Sequence, residues 1–534
     1  MEEYKRKFID FLLNTGSLKV FENSSDDRTL KSKRISPWFV NIGDFNEGES
    51  SNALAGFYAD AIINSGVKGN VLYGIPEKGV GLAAPVAMAM ASKGHNIGWC
   101  FSRKDEKTHG EATGLGHEDR IKKLIVGKVL KPNDAIVQLD DVFTAGDAKY
   151  EANAFMKSLG RANLPLLAIA VDRQEVGIDA TGKSAIEEYE HKTGTKVVSV
   201  VNAIEVYNFL KEMGLDRLRD VQVHRLSLSK RKSELEKSVA GLSDLSKRAE
   251  LEKSVSDLNY EIKRLVDLGS VFSPRSAERM ANYIRVYGTK EARAAIGRGL
   301  EQKIIGRDRS VIPACDVETL EQFEELVRQT ADVDGIGGYK IGFELGLGFG
   351  LSAVVDVARK YTDKPIIYDH QKAGTDIPDT GKNYARLMKR AGVDTVIFFP
   401  QAGPETERAW IYHALDNGLK VIVGGRMTHP AYSVSEGGFI TDEGALEMYR
   451  IAARAGVNNF VVPGNKPEVI KQVKELVESE GVSPVFYAPG FIAQGGKIEA
   501  AAKAAGDRFH GIVGRGIYQA KDMHAAAIEH SSQL

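Results

Sequence analysis

The chain has 534 residues, enough for two large domains and a connector, and 43% of them are apolar while 27% are charged. These fractions are ordinary for globular proteins and exclude wholesale disorder or a fibrous structure. Lys and Arg number 71 against 72 Asp and Glu, so the net charge of -1 argues against a protein that holds nucleic acid by bulk attraction to phosphates. Small anionic ligands, held by a few placed cations, remain compatible with this balance.

Cysteine usage and hydropathy indicate the compartment. The two cysteines, Cys100 and Cys315, are far apart and have no metal-ligand spacing, which excludes a disulfide framework and a zinc site. The first 16 residues have a charged, helical pattern that does not resemble a signal peptide. No run approaches 18 uninterrupted apolar residues, so we expect no membrane span. The sequence predicts a cytoplasmic protein with neither membrane nor nucleic-acid partners.

Apolar runs alternate with helical patterns in residues 1–215. Such continuous, β-branched runs are typical of parallel strands that are buried on both faces. The pattern predicts an α/β domain with a parallel sheet over 1–215. Its expected strands are VLYG (71–74), IGWCF (97–101), AIVQLDD (135–141), LLAIAV (166–171) and KVVSVV (196–201).

Residues 216–270 differ from the preceding residues in amino-acid composition and in hydrophobic pattern. Strand signals vanish, Lys, Glu, Ser and Leu dominate, and the hexapeptide ELEKSV occurs at 234–239 and again at 250–255. Apolar residues from Leu251 to Leu265 recur in steps of four and three, which indicates a helical seam. We predict two amphipathic helices joined near Gly241 that act as a helical linker.

Residues 271–534 repeat one simple unit. Eight strand-like runs alternate with helical patterns, an arrangement that predicts a (β/α)8 TIM barrel. In such a barrel the reactive side chains lie at the carboxyl ends of the strands. The runs begin near residues 310, 335, 365, 395, 420, 459, 484 and 511.

A first candidate site lies in IVQLDDVFTAGDA (136–148). An apolar strand ends in Asp140 and Asp141, and a small turn, Thr144-Ala145-Gly146, leads into a helix. Backbone N–H groups of such a turn, with a helix N-terminus behind them, cradle anions. Two carboxylates beside the cradle suit ribose hydroxyls and a diphosphate that carries Mg2+.

This motif resembles the phosphoribosyltransferase family, and more narrowly orotate phosphoribosyltransferase. Four further stretches carry the narrower resemblance: TLKSKRISPWF (29–39), GIPEKG (74–79), SRKDEKTHGE (102–111) and VDRQE (171–175). The resemblance implies that Lys31 and Lys78 bind the diphosphate. It places Phe39 over the orotate ring and Arg173 at the orotate carboxylate. A mobile catalytic loop would carry four further side chains: Arg103, Lys104, Lys107 and His109.

The resemblance also implies partners and a metal. In the family the mobile loop closes over the neighbouring subunit's site, so a homodimer or a higher homo-oligomer is expected. Mg2+ is implied for this half only, and it is bound mainly through phosphoribosyl diphosphate near Asp140 and Asp141 rather than by a dedicated set of protein ligands. The chain departs from the family at 114–127, where relatives usually have a shorter, glycine-rich connection.

A second candidate site lies at the strand ends of the predicted barrel. Asp316 follows strand one, Lys340 ends strand two, and Asp369, Lys372 and Asp376 follow strand three. Alternating charges neutralise one another and can be buried together while they present an oriented field. Barrels often bind phosphate in the loops after strands seven and eight. The expected phosphate donors there are Gln494, Gly495, Gly514 and Arg515.

These features resemble the orotidine 5′-phosphate decarboxylase family over roughly 305–525. The resemblance implies that Asp316 meets the ribose, that Lys340 joins the charge network, and that Lys372 is the proton donor. Asp369 and Asp376 would be the two carboxylates, the latter reaching the partner's site, and RMTHPA (426–431) offers Thr428 to the pyrimidine. No cofactor is implied for this half.

The strand-three motif departs from the family's spacing. Asp369 precedes Lys372 by three positions rather than two, and Asp376 follows it by four rather than three. A bulge could keep all three side chains in place. His370 then stands where the usual spacing expects the first carboxylate.

The whole chain is similar to bifunctional UMP synthases, with the transferase first. The resemblance implies synthesis of orotidine 5′-phosphate from orotate and phosphoribosyl diphosphate, followed by decarboxylation to UMP. One alternative is a transferase fused to a magnesium-dependent phosphosugar barrel enzyme, such as a hexulose-phosphate synthase. Another is a non-catalytic regulator that senses nucleotides.

Overall fold

A computed structural model provides the fold. It describes the chain apart from residues 104–120, 122, 144–145, 178–182, 241–250, 260–272, 298, 300–301, 371–375 and 492–494. The described residues form two compact units. The first comprises Met1–Ile284 and Gly288–Ile296, and the second comprises Arg285–Tyr287 and Gly297–Leu534.

The first unit is built on the predicted sheet. Its five long runs form parallel strands, and a sixth strand pairs antiparallel at one edge. The three central parallel strands, Val71–Gly74, Ile136–Leu139 and Leu166–Asp172, are apolar runs whose side chains are almost all buried. In spatial order the strands are Lys196–Asn202, Leu166–Asp172, Ile136–Leu139, Val71–Gly74, Gly98–Ser102 and Ile125–Gly127, and the short strand Val142–Phe143 pairs beside Leu166–Asp172.

Small antiparallel pairs and helices complete the first unit. Leu18–Val20 pairs with Trp38–Val40, and Arg28–Thr29 pairs with Ile35–Ser36. The helices, in addition to those discussed below, are Glu3–Asn14, Gly48–Asn64, Val80–Ser92, Asp147–Ser158, Ala185–Thr193 and Lys290–Ile296, with a short 3-10 turn at Ile42–Asp44.

The predicted linker begins within a helix rather than after one. A single helix runs from Ala203 to Ala240, so the expected boundary at 215 falls inside a continuous element. Residues 251–259 are also helical, as the seam predicts, and the expected joint at Gly241 lies outside the described residues. Gly214 lies inside this helix and does not end it, so the change in composition near residue 215 does not coincide with a helix end.

The residues that follow the expected start of the barrel domain at 271 are divided between the two units. The helix Pro274–Tyr287, called here the post-linker helix, contributes its residues up to Ile284 to the first unit. Residues 288–296 belong to the first unit as well. The side chains of this segment pack into the first unit's core, which a boundary drawn from a change in sequence texture cannot detect.

The second unit is the predicted (β/α)8 barrel. Its strands are parallel and follow one another around the barrel in chain order, and bridges from strand one to Ile336 and Lys340 close the ring. Isoleucines at inward positions, among them Ile312, Ile367 and Ile422, fill the interior. The eight strands are Arg309–Pro313, Tyr339–Ile341, Ile366–Tyr368, Thr395–Phe398, Lys420–Gly424, Asn459–Val461, Val485–Ala488 and Phe509–Val513.

Helices surround the barrel, and all eight predicted strands are confirmed. Across the described residues, no helix combines the length and apolar character needed to cross a bilayer. The helices of this unit are Leu320–Thr330, Phe343–Phe349, Leu351–Arg359, Thr380–Arg390, Pro404–Asp416, Asp442–Arg454, Pro467–Ser479, Ile498–Ala505, Arg515–Tyr518 and Met523–Ser531, with a 3-10 turn at Val434–Glu436.

Candidate active sites

The acidic pair of the first unit lies at the carboxyl end of a buried strand. Asp140 and Asp141 follow the strand Ile136–Leu139, and their backbones remain hydrogen-bonded to the neighbouring strand. The buried hydroxyl of Tyr58 donates to the carbonyl oxygen of Asp140 at 2.7 Å. The pair therefore has a fixed backbone, and each carboxylate projects from a rigid element.

Each carboxylate of the pair forms an ion pair with a lysine. Lys149 Nζ lies 2.6 Å from Asp140 Oδ2, and both side chains are buried. Lys78 Nζ lies 2.6 Å from Asp141 Oδ2, but the Lys78 side chain is about half exposed. The buried pair is thus a structural unit, whereas Lys78 can exchange its partner for a bound anion.

Burial and the two lysines set the charges of this pair. Burial raises the pKa of Asp140; Lys149 opposes that shift and the Asp141 charge adds to it, so the pKa stays above its usual value. Burial also acts to raise the pKa of Asp141, but hydrogen bonds from Lys78 and the Val142 N–H bring it below its usual range. Loss of either lysine would favour protonation of its partner.

The described end of the turn after the acidic pair is Gly146, which leads directly into a helix. Gly146 has φ +86°, and a Cβ there would meet the Phe143 ring at 2.9 Å, so the position requires glycine. The helix Asp147–Ser158 begins directly after it, and the N–H groups that open a helix have no partners within it. The two other predicted turn residues, Thr144 and Ala145, lie outside the described residues.

The GIPEKG loop packs closely against the same strand. A Cβ at Gly79 would collide with the carbonyl oxygen of Leu139 and with the backbone of Ile75. The loop that carries Lys78 is therefore pressed against the backbone just before Asp140. This close approach explains how Lys78 reaches Asp141.

The remaining predicted residues of the first unit are spread over three segments. Lys31 is exposed in the turn between two short strands, and Phe39 is half-buried in Trp38–Val40. Arg103 is exposed after the strand Gly98–Ser102 and its N–H donates to the carbonyl of Leu124 at 2.8 Å. Three residues of the predicted loop, Lys104, Lys107 and His109, lie outside the described residues.

Arg173 is buried against the segment that carries Phe39. Its guanidinium donates to Ser36 Oγ at 2.8 Å and to the Trp38 carbonyl at 3.4 Å, and it lies 4.0 Å from the centre of the Trp38 ring. Its Nε donates to Glu175 Oε1 at 2.6 Å. The structure therefore brings Arg173 beside the strand of Phe39, and an ion pair and an aromatic face hold it in place.

Six of the predicted residues of the barrel line one cavity of about 390 Å³. The cavity lies at the carboxyl ends of the strands, where barrels place their chemistry. Predicted residues that line it are Asp316, Lys340, Asp369, Thr428, Gly514 and Arg515. The structure adds further lining side chains that the sequence did not single out: Met427, His429, Phe491 and Tyr518.

Lys340 is the buried cation of this cavity. Its Nζ lies 3.3 Å from Asp369 Oδ2 and 3.6 Å from Asp316 Oδ1. Burial alone would lower the pKa of Lys340, but Asp369 and Asp316 outweigh burial and raise it above its usual value. The ammonium therefore stays charged and neutralises the carboxylates that face the cavity.

The strand-three motif is divided between the cavity and the surface. Asp369 lines the cavity, whereas the neighbouring His370 turns to the Tyr368 hydroxyl, 2.7 Å from its Nδ1. Asp376 is exposed outside the cavity lining, and its Oδ1 accepts the N–H of Ile377 at 2.7 Å. Lys372 lies outside the described residues.

The structure describes different parts of the two predicted phosphate loops, which follow strands seven and eight. Gly514 and Arg515 line the cavity at the start of the short helix after strand eight. Gly495 has φ +79°, and the following Gly496 packs against the carbonyl of Gly490 so closely that only glycine fits. Gln494 lies outside the described residues.

Comparison with known proteins identifies both units. The orotate phosphoribosyltransferase of Photobacterium profundum is 40% identical over 219 residues, which cover 40% of this chain and 93% of that protein. The enzyme of the same name from Pseudomonas fluorescens is 40% identical over 213 residues, which cover 40% of this chain and 91% of that protein. A model of the Orotidine 5'-phosphate decarboxylase / HUMPS family matches residues 309–529.

The chain belongs to the orotate phosphoribosyltransferase family, fused to a barrel of the orotidine 5′-phosphate decarboxylase / HUMPS family. The first unit is called here the transferase half and the second the decarboxylase half. A crystal structure of orotidine 5'-monophosphate decarboxylase from Methanocaldococcus jannaschii is 27% identical, with a TM-score of 0.38, and the match covers 42% of this chain and 98% of that one.

Sequence reasoning missed one charged residue in the transferase half. Lys149 stands in the first turn of the helix after Gly146, three positions beyond the turn and on the side that faces Asp140. A lysine at that spacing from an acidic strand end was the available signal. In the decarboxylase half, Tyr518 and His429 were missed because a single ring side chain beyond a strand end is not distinctive without its surroundings.

Among the described residues, no cluster of three or more His, Cys, Asp or Glu side chains could hold a metal ion. The acidic pair of the transferase half offers hard oxygen ligands of the kind that Mg2+ prefers. Because Lys149 and Lys78 already engage these carboxylates, the remaining ligands must come from a bound phosphate compound and water. The residues therefore fit an ion that arrives with its substrate.

The Lys149–Asp140 pair yields a testable expectation. Lys149→Gln removes the cation that opposes protonation of Asp140, so the pKa of Asp140 should rise further. Transferase activity that needs the Asp140 carboxylate is lost as pH falls through this pKa, so the acidic limb of the pH profile should move to higher pH. Lys157→Gln, which removes a lysine from the exposed side of the same helix, is the control and should leave the limb unchanged. An unshifted limb in Lys149→Gln would show that Asp140 does not act as a carboxylate.

Proposed function

We propose that the transferase half makes orotidine 5′-phosphate from orotate and phosphoribosyl diphosphate, and that the decarboxylase half converts this product to UMP. The observation that carries the proposal is the fusion itself: one chain joins a relative of orotate phosphoribosyltransferases to a barrel of the orotidine 5′-phosphate decarboxylase / HUMPS family. The product of the first named reaction is the substrate of the second. Together they form the last two steps of UMP synthesis.

In the transferase half, departure of the diphosphate from the ribose is the step whose transition state must be stabilised. Negative charge grows on the leaving diphosphate while the ribose acquires positive charge, so placed cations and anions stabilise both. We assign Lys31, Lys78 and the loop residues Lys104, Lys107 and His109 to the diphosphate, with Arg103 beside them. Asp140 and Asp141 hold the ribose hydroxyls, and Thr144, Ala145 and Gly146 hold the 5′-phosphate.

Orotate binding is assigned to Phe39 and Arg173. The ring of Phe39 offers a face for the pyrimidine, and Arg173 offers a guanidinium for its carboxylate. Support comes from the contact of Arg173 with the Trp38 carbonyl and ring, next to Phe39 in sequence. Mg2+, when bound with phosphoribosyl diphosphate beside Asp140 and Asp141, would neutralise charge on the leaving group.

In the decarboxylase half, loss of CO2 breaks the bond at C6 and leaves an electron pair on that carbon. We assign Lys372 to protonate C6, and Lys340 to hold the charges of Asp316 and Asp369 in balance. Asp369 faces the departing carboxylate, and repulsion between the two negative groups raises the energy of the bound substrate. No cofactor is needed in this scheme.

Binding groups in the barrel lie away from the reacting carbon. Asp316 is assigned to the ribose and Thr428 to the pyrimidine. The assigned phosphate donors are Gln494, Gly495, Gly514 and Arg515. Support comes from the shared cavity that Arg515, Lys340 and Asp369 line. Binding energy from the remote phosphate orients the ring at the reactive carbon.

The assembly proposed is a homodimer or a higher homo-oligomer in the cytoplasm. Asp376 is exposed in the single chain and outside the cavity, which suits a carboxylate that completes a partner's site. Orotate, phosphoribosyl diphosphate and orotidine 5′-phosphate are the proposed small-molecule partners. Neither the magnesium-dependent phosphosugar barrel nor the nucleotide-sensing regulator gains support from the relatives found.

Chelation of Mg2+ separates the proposed function from the phosphosugar alternative. EDTA should abolish orotate consumption, because phosphoribosyl diphosphate then lacks its metal, and addition of Mg2+ should restore it. Release of CO2 from supplied orotidine 5′-phosphate should continue at the parent rate, since its proposed cations are lysines. A decarboxylation rate that falls with chelator would favour a metal-dependent barrel.

Lys372→Ala tests the proton donor. Decarboxylation should fall by more than about two to four decades, the range typical of a lost general acid, because the local charge balance is lost as well. Orotidine 5′-phosphate synthesis should persist, so this intermediate should accumulate in a chromatographic assay. The control Lys382→Ala changes another lysine of the same strand-to-helix region and should leave the rate near that of the parent. Retention of a tenth of the parent rate by Lys372→Ala would move the proton donor to Lys340.

A further inference from the structure

The post-linker helix buries one of its faces in the transferase half. Its N-terminus is capped by Ser273, whose side chain accepts the N–H of Ser276, and Pro274 occupies the first turn. Residues spaced by three and four positions form one buried face of the helix. They are Ser276, Arg279, Met280, Tyr283 and Ile284, all with 2% exposure or less. A helix that buries such a face is part of the unit's core.

A buried ion pair anchors this helix. Arg279 Nη2 lies 2.8 Å from Asp27 Oδ2, and the two side chains are 3% and 0% exposed. Arg279 Nη1 also donates to the carbonyl of Phe21 at 2.7 Å. Buried ion pairs fix geometry, because removal of one partner leaves an unpaired charge in the interior. The anchor therefore sets the position of the helix against the segment that leads to the predicted substrate strand.

One turn further along, Tyr283 joins the ion pairs around Arg173. Its hydroxyl lies 3.1 Å from Glu175 Oε1, the same oxygen that accepts Arg173 Nε at 2.6 Å. The Arg173 guanidinium lies 4.0 Å from the Trp38 ring centre and 5.8 Å from that of Tyr283. Arg34 reaches the other oxygen of Glu175 at 3.3 Å. Glu175 thus contacts three side chains, Arg34, Arg173 and Tyr283, and the Arg173 guanidinium lies close to two aromatic rings.

The backbone after the helix contacts the same short segment. Gly288 forms an antiparallel bridge with Glu175, and the Thr289 N–H donates to the carbonyl of Gln174 at 2.8 Å. Gln174 has φ +50°, a left-handed conformation that neighbouring contacts must hold in place. Residues from beyond the linker therefore fix both the backbone and the side chains of the Arg173 segment.

The transferase relatives match a different part of the chain. The first two of them align with 40% of it, at its N-terminal end, and cover 92% or more of their own length. Pro274 lies beyond the midpoint of the chain, outside that match. The helix that contacts the Arg173 segment therefore lies outside the region matched by these relatives.

We propose that the post-linker helix completes the orotate subsite of the transferase half, with Tyr283 as a positioning residue for Arg173. The inference rests on the proposed role of Arg173 at the orotate carboxylate. Tyr283 does not touch orotate in this scheme. It acts through Glu175 and the aromatic face, which together keep the guanidinium from turning away from the substrate.

The test uses the full chain, whose decarboxylase activity serves as an internal control. Tyr283→Phe keeps the ring and removes one hydrogen bond to a charged group. KM for orotate should rise by about tenfold, the loss that corresponds to one such bond, while KM for phosphoribosyl diphosphate and the decarboxylation rate stay unchanged. Tyr207→Phe, a half-buried tyrosine of the same unit, is the matched control and should alter none of these values.

Arg279→Gln tests the anchor by a second route. Loss of the buried cation should loosen the helix, raise KM for orotate and lower the thermal midpoint of the transferase half, again without loss of decarboxylation. A thermal shift alone, with KM for orotate unchanged in both variants, would show that the helix only stabilises the fold, and it would overturn the proposal.

Arg173→Ala separates the role of Arg173 in orotate binding from the positioning role of the post-linker helix. If it raises KM for orotate strongly while Tyr283→Phe and Arg279→Gln do not, the role of Arg173 stands and the positioning role of the helix is wrong. If Arg173→Ala leaves KM for orotate unchanged, the assignment of Arg173 fails and the inference falls with it. A rise in all three variants supports both.

Discussion

Both sites depend on a buried lysine that neutralises carboxylates at the ends of parallel strands. Parallel strands finish at one edge of a sheet or one rim of a barrel, so acidic residues that follow them lie close together. Burial and mutual repulsion would protonate such carboxylates. Lys149 opposes this at Asp140, and Lys340 lies 3.3 Å from Asp369 and stays charged. At an effective dielectric near 20, a pair of unit charges about 4 Å apart gains about 4 kcal/mol, which offsets part of the cost of burying the two charges.

The pairing of buried lysines with carboxylates is consistent with the near-zero net charge of the chain. Every proposed substrate is an anion, yet the protein carries 71 basic and 72 acidic side chains. Attraction must therefore come from local placement, with half-exposed Lys78 and exposed Arg515 at the site entrances and the buried lysines committed to carboxylates. Recognition in the proposed scheme depends on where a few cations stand rather than on a charged surface.

Most of the fold follows from local sequence patterns, whereas its long-range contacts do not. Continuous apolar runs predicted the parallel strands of both units, and the motifs at strand ends predicted Asp140, Asp316 and Lys340 because parallel topology gathers such positions. The change in composition near residue 215 falls inside the helix Ala203–Ala240, because local composition does not report where a helix ends. Tyr283 could not be found in the same way, because its partner Glu175 lies 108 positions earlier and no local pattern reports such a contact.

The central claim is that one chain carries orotate to UMP through two sites. The most direct measurement supplies the purified protein with orotate labelled in its carboxyl group and follows labelled CO2. With Mg2+ and phosphoribosyl diphosphate present, the account predicts that labelled CO2 and UMP appear in equal amounts, and that neither appears when phosphoribosyl diphosphate is omitted. Accumulation of orotidine 5′-phosphate without labelled CO2, or no consumption of orotate at all, would contradict it.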